Sequence, residues 1–223
     1  DSLPLCQNWA AQPSTSFAMC SSLYVCTFEP GGWDPGDWTQ VRSPRWDHDG
    51  GWDQRADHIS NCVPTDASAE QLQGPLAHET YSSMVLAGPP IGEIRVRTRA
   101  SFDFRMAPLV VLAGPLGTDR GGHLEYREHV EIVLFDEGVN VWHHTWSVGD
   151  PTWVKAAWWR CELARGEWHA LEVQWRGAEL ALRIGDREFG CRILGLPDEV
   201  HPGITGCEGV NRFCEFAVDS LEK

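Results

Sequence analysis

HLEYREHVEIVLFDEGVNVWHHTW, residues 123–146, decides how the rest of the chain is read. Two runs of period-two alternation flank Asp136-Glu137-Gly138, a turn signal, and predict two adjacent antiparallel strands. In the first, Val130, Ile132 and Leu134 share one face, and Arg127, His129, Glu131 and Val133 share the other. In the second, Val139 and Val141 share a face with His143, while Asn140, Trp142, His144 and Trp146 lie opposite. With the aliphatic faces in the core, one sheet surface carries Arg127, His129, Glu131, Asn140, Trp142, His144 and Trp146. Two histidines, a carboxylate, an amide and two tryptophans on one surface read as a functional groove. The alternative is a half-buried polar cluster beneath a loop.

The chain has 223 residues, enough for one large all-β domain with a sizeable core, and no linker divides it. Its formal charge of −14 argues against nucleic acid and against anionic membrane surfaces as partners. No apolar run approaches the roughly 20 residues that span a bilayer. A monomer is expected. The eight cysteines (Cys6, Cys20, Cys26, Cys62, Cys161, Cys191, Cys207 and Cys214) are evenly numbered and widely spaced, without CxxC pairs. That pattern predicts disulfides in a secreted protein, with free thiols as the alternative. The start at Asp1 reads as a processed or trimmed end. Twelve tryptophans are many for this length; indole faces stack on sugar rings, although tryptophan also fills cores.

Residues 1–22 read as an irregular extension pinned by Cys6 and Cys20, and 23–223 as one β domain. Gly31 to Asp53 reads as a loop with four tryptophans and five aspartates. Within it, Asp47 to Asp53 only weakly resembles a calcium loop, because the bidentate glutamate is missing. Glu93 to Met106 predicts a single long strand: Ile94, Val96, Thr98, Ala100, Phe102, Phe104 and Met106 alternate with Arg95, Arg97, Arg99, Ser101, Asp103 and Arg105. Arg105 is a candidate wall of the groove. Leu109–Ala113, a tryptophan-rich loop or edge strand at 149–159, and strands at 168–175, 180–184, 189–194 and 213–221 follow. Many short strands with Gly-rich turns, and no amphipathic helix of useful length, indicate an all-β, two-sheet antiparallel jelly-roll sandwich.

Three features resemble the concanavalin A-like lectin/glucanase jelly-roll superfamily: an early Phe28-Glu29, the hairpin VEIVLFDEGVNVWHH, and LEVQWRGAELALRIGDREF before a closing FAVDSLEK. The resemblance implies a concave sugar-binding face. It also implies a structural Ca2+ at Glu29 and Asp219. Members of the superfamily include glycoside hydrolases, polysaccharide lyases and lectins.

Glucanases of this fold carry Glu-X-Asp-X-X-Glu on a central strand, whereas residues 125–131 read EYREHVE, without the middle aspartate. Glu125 and Glu131 stand about 20 Å apart on a strand, too far for retaining or inverting hydrolysis. Glu131 with Asp103 remains possible as a carboxylate pair. β-Elimination on a uronate needs a neutralising group, a base and an acid. The groove offers Arg127 and Asn140, then His129 or His144, with Tyr81 as a proton donor; Tyr126 falls on the opposite face of a regular strand. Asp103, Arg105, Trp142 and Trp146 are the candidate substrate contacts. His143 and His144 face opposite ways, so they do not share an ion. His129 and His144 can, if the strands pair in register with Glu131 beside them. No phosphate loop or other motif calls for an organic cofactor. The leading expectation is an enzyme cleaving an acidic polysaccharide by β-elimination, ahead of a glycoside hydrolase and a non-catalytic lectin.

Overall fold

The computed structural model describes residues 21–46, 48–147 and 150–221. The first half of the described chain contributes β1 (Ser21–Cys26), β2 (Trp38–Gln40), β3 (Trp52–Gln54), β4 (Ile59–Asn61), β5 (Ser82–Leu86), β6 (Ile91–Gly92), β7 (Ile94–Phe102), β8 (Met106–Ala113), β9 (Gly117–Thr118) and β10 (Leu124–Glu125). The second half contributes β11 (His129–Phe135), β12 (Gly138–Ser147), β13 (Asp150–Arg160), β14 (His169–Arg176), β15 (Glu179–Ile184), β16 (Arg187–Arg192), β17 (Glu199–Gly206) and β18 (Asn211–Ser220). Among the described residues the one α-helix, α1 (Ala69–Gln73), is short and starts at a Ser68/Gln71 capping box. No helix among the described residues is long and apolar enough to cross a membrane.

Two eight-stranded antiparallel sheets face one another. The first runs β16-β15-β14-β7-β18-β4-β3, with β1 also on β18. The second runs β13-β12-β11-β8-β17-β5-β2, with β6 on β17. Alternation places Val96, Val173, Leu182 and Phe216 of the first sheet against Leu112, Ile132, Val141 and Ile204 of the second, all in one buried cluster. The central hairpin forms as its sequence predicts: His129 pairs with His144, Glu131 with Trp142, and Val133 with Asn140 across Asp136-Glu137.

Four expectations change. First, Ser21 and Ser22 are already in β1, against Ser220 and Asp219, so the irregular extension cannot reach residue 22; Cys6 and Cys20 lie outside the described residues. Second, Glu93–Met106 is not one strand. Asp103–Arg105 bends, and the chain passes from the first sheet (β7) to the second (β8). Arg212 clamps the bend by gripping Asp103 with two hydrogen bonds of 2.7 Å. Alternation continues through the bend because each strand alternates on its own side of it.

Third, β17 has no counterpart in the sequence reading. Its His201-Pro202-Gly203 looks like a breaker, yet Pro202 pairs with Leu112 and Gly203 with both Val111 and Val85. Gly203 is required there: a Cβ would stand 2.3 Å from the Met84 carbonyl oxygen. Fourth, disulfides are not formed among Cys26, Cys62, Cys161, Cys207 and Cys214, which remain thiols. The fold disperses them: Cys26 and Cys161 lie in the inter-sheet core, while Cys207 packs with Tyr81 on the opposite side of the second sheet.

Candidate functional site

The outer face of the second sheet, turned away from the inter-sheet core, gathers the side chains singled out in the hairpin. β11 presents His129, Glu131 and Val133 there; β12 presents Asn140, Trp142, His144 and Trp146. The expected open groove is instead roofed. Arg42 N–H donates to Leu124 O and Tyr126 N–H to Arg42 O, which ties two loop segments together above the sheet. Val41 and Tyr126 pack on Val85, Val111 and Ala113 below them. The polar floor is consequently buried: His129 is 1% exposed, His144 2%, Asn140 6% and Glu131 7%.

On that floor the rings form a ladder. Tyr126 stacks on His129 with centroids 4.7 Å apart, His129 on His144 at 4.2 Å, and His144 on Trp153 at 6.3 Å. Tyr126 thus contributes to the site, contrary to its place on a regular strand, because residues 126–128 are irregular and turn its ring over. Its hydroxyl shares a short chain with Ser83 Oγ at 2.6 Å, and Ser83 with Thr205 Oγ1 at 2.5 Å. Glu131 sits between the histidine edges, with Oε2 2.9 Å from His144 Nε2 and Oε1 3.7 Å from His129 Nε2. Burial alone would raise the Glu131 carboxyl, but His144 and His129 hold it well below the usual carboxylate range. Burial pushes the His129 imidazole down, against the pull of Glu131. Tyr81, expected as a proton donor, is fully enclosed beside Trp46, and burial raises its hydroxyl far above ordinary phenol values.

Above the floor runs a rim of indoles and cations. Arg45 lies 4.4 Å over Trp46 and 5.1 Å over Trp153; Arg127 lies 4.0 Å over Trp146, and Lys155 5.2 Å over Trp142. Trp153 is 46% exposed. Arg127 is also held by Glu125 and donates to Thr118 O at 2.7 Å. Arg127 and Trp146 are therefore in contact, while Trp142, four residues along β12, packs with Tyr81, Leu109 and Val133 and meets Lys155 instead.

Two candidate substrate contacts are elsewhere. Asp103 belongs to Arg212 at the β7–β8 bend and forms no pair with Glu131. Arg105 lies beside Asp136 and Glu137 at the hairpin turn, 3.6 and 3.4 Å away. The proposed calcium positions are not brought together either. Asp219 accepts from Arg95 at 2.9 Å and Arg97 at 3.3 Å. Glu29 follows Phe28, whose carbonyl takes a hydrogen bond from Gln54 near the Phe213 end of β18. In the weak calcium-like loop, Asp49 is bound to Arg42; Asp47 lies outside the described residues.

Sequence reasoning missed Arg45, Trp153, Lys155 and Glu208 as site residues, and it read Trp46 only as one of four tryptophans in the Gly31–Asp53 loop. Trp153 and Lys155 were legible in principle: on an edge strand paired with β12 they fall beside His144 and Trp142. Arg45 and Trp46 arrive on a loop, which carries no periodic signal. Glu208 comes from the turn after β17; burial raises its carboxyl, Arg45 and Arg105 oppose this, and Glu131 adds to it.

Two antiparallel eight-stranded sheets packed face to face make this a two-sheet jelly-roll sandwich. No protein-family model matches the chain, and no curated protein matches its sequence. Solved structures share the fold. A carbohydrate-binding module, CBM66 from Bacillus subtilis, superposes with a TM-score of 0.56 at 10% identity, over 82% of this chain and 96% of that one. The GlcNAcα1-4Gal-releasing endo-β-galactosidase from Clostridium perfringens gives 0.61 at 12% identity, over 94% of this chain but 65% of that one. The κ-carrageenase from Pseudoalteromonas carrageenovora gives 0.57 at 10% identity, over 95% and 99%. At such identities the likeness establishes the fold alone.

Proposed function

We propose that the chain binds an acidic polysaccharide along the rim of the second sheet. The carrying observation is the rim itself: Trp46, Trp142, Trp146 and Trp153 are interleaved with Arg45, Arg127 and Lys155. Indole faces offer flat apolar platforms for sugar rings. The cations supply what a chain of net charge −14 otherwise denies an anionic ligand, a local attraction. The fold neighbours, one carbohydrate-binding module and two enzymes named for glycans, support the ligand class.

Recognition without turnover is the reading the geometry favours. β-Elimination requires a base in reach of the glycan, and His129 is enclosed between Tyr126 and His144. The test is electrophoresis through gels containing acidic or neutral polysaccharides, together with assays for new reducing ends and for ultraviolet absorbance from a new carbon–carbon double bond. Retardation by acidic gels alone, with neither product, is expected. Absorbance rising with reducing ends would replace binding by lyase chemistry. Reducing ends alone would mean hydrolysis and point to Glu131 and Glu208. No retardation in any gel would remove the proposal.

A further inference from the structure

We propose that His129, Glu131 and His144 form a site for one divalent transition-metal ion of the zinc class, held by the two Nε2 atoms and a Glu131 carboxylate oxygen. It stands on donor geometry and does not depend on the glycan reading. The three donor atoms lie within 4.8 Å of one another, and all three residues are buried. Donors bound to one zinc at about 2.1 Å stand roughly 3.4 Å apart in a tetrahedron. Small pivots of the stacked rings, by roughly an ångström, therefore bring them into range.

The hydrogen bonds around His129 give the reason. His129 Nδ1 lies 2.8 Å from the Arg127 carbonyl oxygen, which only accepts, so Nδ1 carries a proton. In the neutral ring Nε2 then presents a bare lone pair. That nitrogen is buried without a protein hydrogen-bond donor, and it faces Glu131 Oε1 at 3.7 Å. Two acceptors facing each other in a dry site are unfavourable; a cation between them turns the same arrangement into ligation. The Nδ1–H to carbonyl bond also matches the support that metal-binding histidines receive, because it fixes the tautomer and orients the ring.

The register explains why these three residues meet. His129 and His144 are direct cross-strand partners, and Glu131 is two residues along β11 on the same face. Two imidazoles and one carboxylate select a zinc-class ion over calcium, which takes oxygen ligands. Glu131 is the most exposed of the three, at 7%.

The test uses the whole chain, reduced and stripped of metal with a chelator. It is titrated with Co2+, whose visible spectrum reports ligand type, and with Zn2+ in competition. One equivalent of Co2+ with a nitrogen/oxygen spectrum, displaced by Zn2+, is expected. Glu131→Gln keeps the side-chain shape and gives His129 Nε2 an amide donor, so the variant should fold while binding about 100-fold more weakly or worse. His143→Gln, altering the neighbouring histidine on the opposite face, should bind as the parent does. A folded parent that binds no Co2+ would overturn the proposal. So would intense thiolate charge-transfer absorption, which would place the ion on cysteines, or unchanged affinity in Glu131→Gln.

Discussion

Asn61 shows how much a single side chain arranges near the site. Its amide donates to Thr80 O at 2.7 Å and Gly209 O at 2.8 Å, and its oxygen accepts from Asn211 N at 2.8 Å. These bonds pin the turn that carries Glu208. Asn61→Ala strands three buried backbone groups and should lower stability by about 3 kcal/mol, read from the urea midpoint. Trp153 is the contrasting case. It is half exposed, so Trp153→Ala should leave the unfolding midpoint nearly unchanged while costing about 1–2 kcal/mol of glycan affinity. Equal losses in both measurements would make it a packing residue instead. At this scale the hairpin residues were legible because period-two alternation assigns faces directly. Their burial was not, because the covering loop around Val41–Trp46 and Tyr126 meets them only through tertiary contact.

Elements follow the same division. β11, β12, β14 and β15 were legible because each alternates and ends at a turn. β17 was not, because its Pro-Gly signals a break and only the close approach to Met84 explains the glycine. Gly138, the first residue of β12, has φ 147°, and a Cβ there would stand 2.0 Å from Trp159 O. Gly138→Ala should therefore displace β13 from β12 and destabilise the fold by about 2 kcal/mol or more, with Trp153 and Lys155 drawn from the rim. Thermal denaturation with and without glycan checks both effects. On β1, burial pushes the Cys26 thiol up from 9.0 to about 11, with Tyr24 opposing. Its Sγ lies 3.2 Å from the Gly32 carbonyl oxygen that accepts its proton. Between pH 9 and 11 the unfolded chain has lost that proton and the folded chain keeps it, so stability falls as pH rises through this window. Cys26→Ala should flatten that alkaline loss, measured as the urea midpoint against pH; an unchanged slope would locate the loss in other groups.

For the whole molecule, charge placement matters more than total charge. A net −14 repels an acidic polymer, and a cationic rim over tryptophans reverses this at one face. Exposed ion pairing of this kind is screened by salt, so acidic-glycan affinity should fall as ionic strength rises, while any neutral-sugar stacking should not. The jelly roll was legible as a class from many short alternating strands and the absence of a long helix. The passage of the chain between sheets at Asp103–Arg105 was not, because no glycine or proline marks it. The measurement that tests acidic-glycan binding most directly is calorimetric titration with a uronate-containing oligosaccharide and, in parallel, its carboxyl-reduced neutral counterpart. Saturable binding of the acidic sugar, much weaker binding of the reduced one, and loss of the difference in Arg45→Gln are expected. Equal affinity for the two sugars, or none for either, would contradict it.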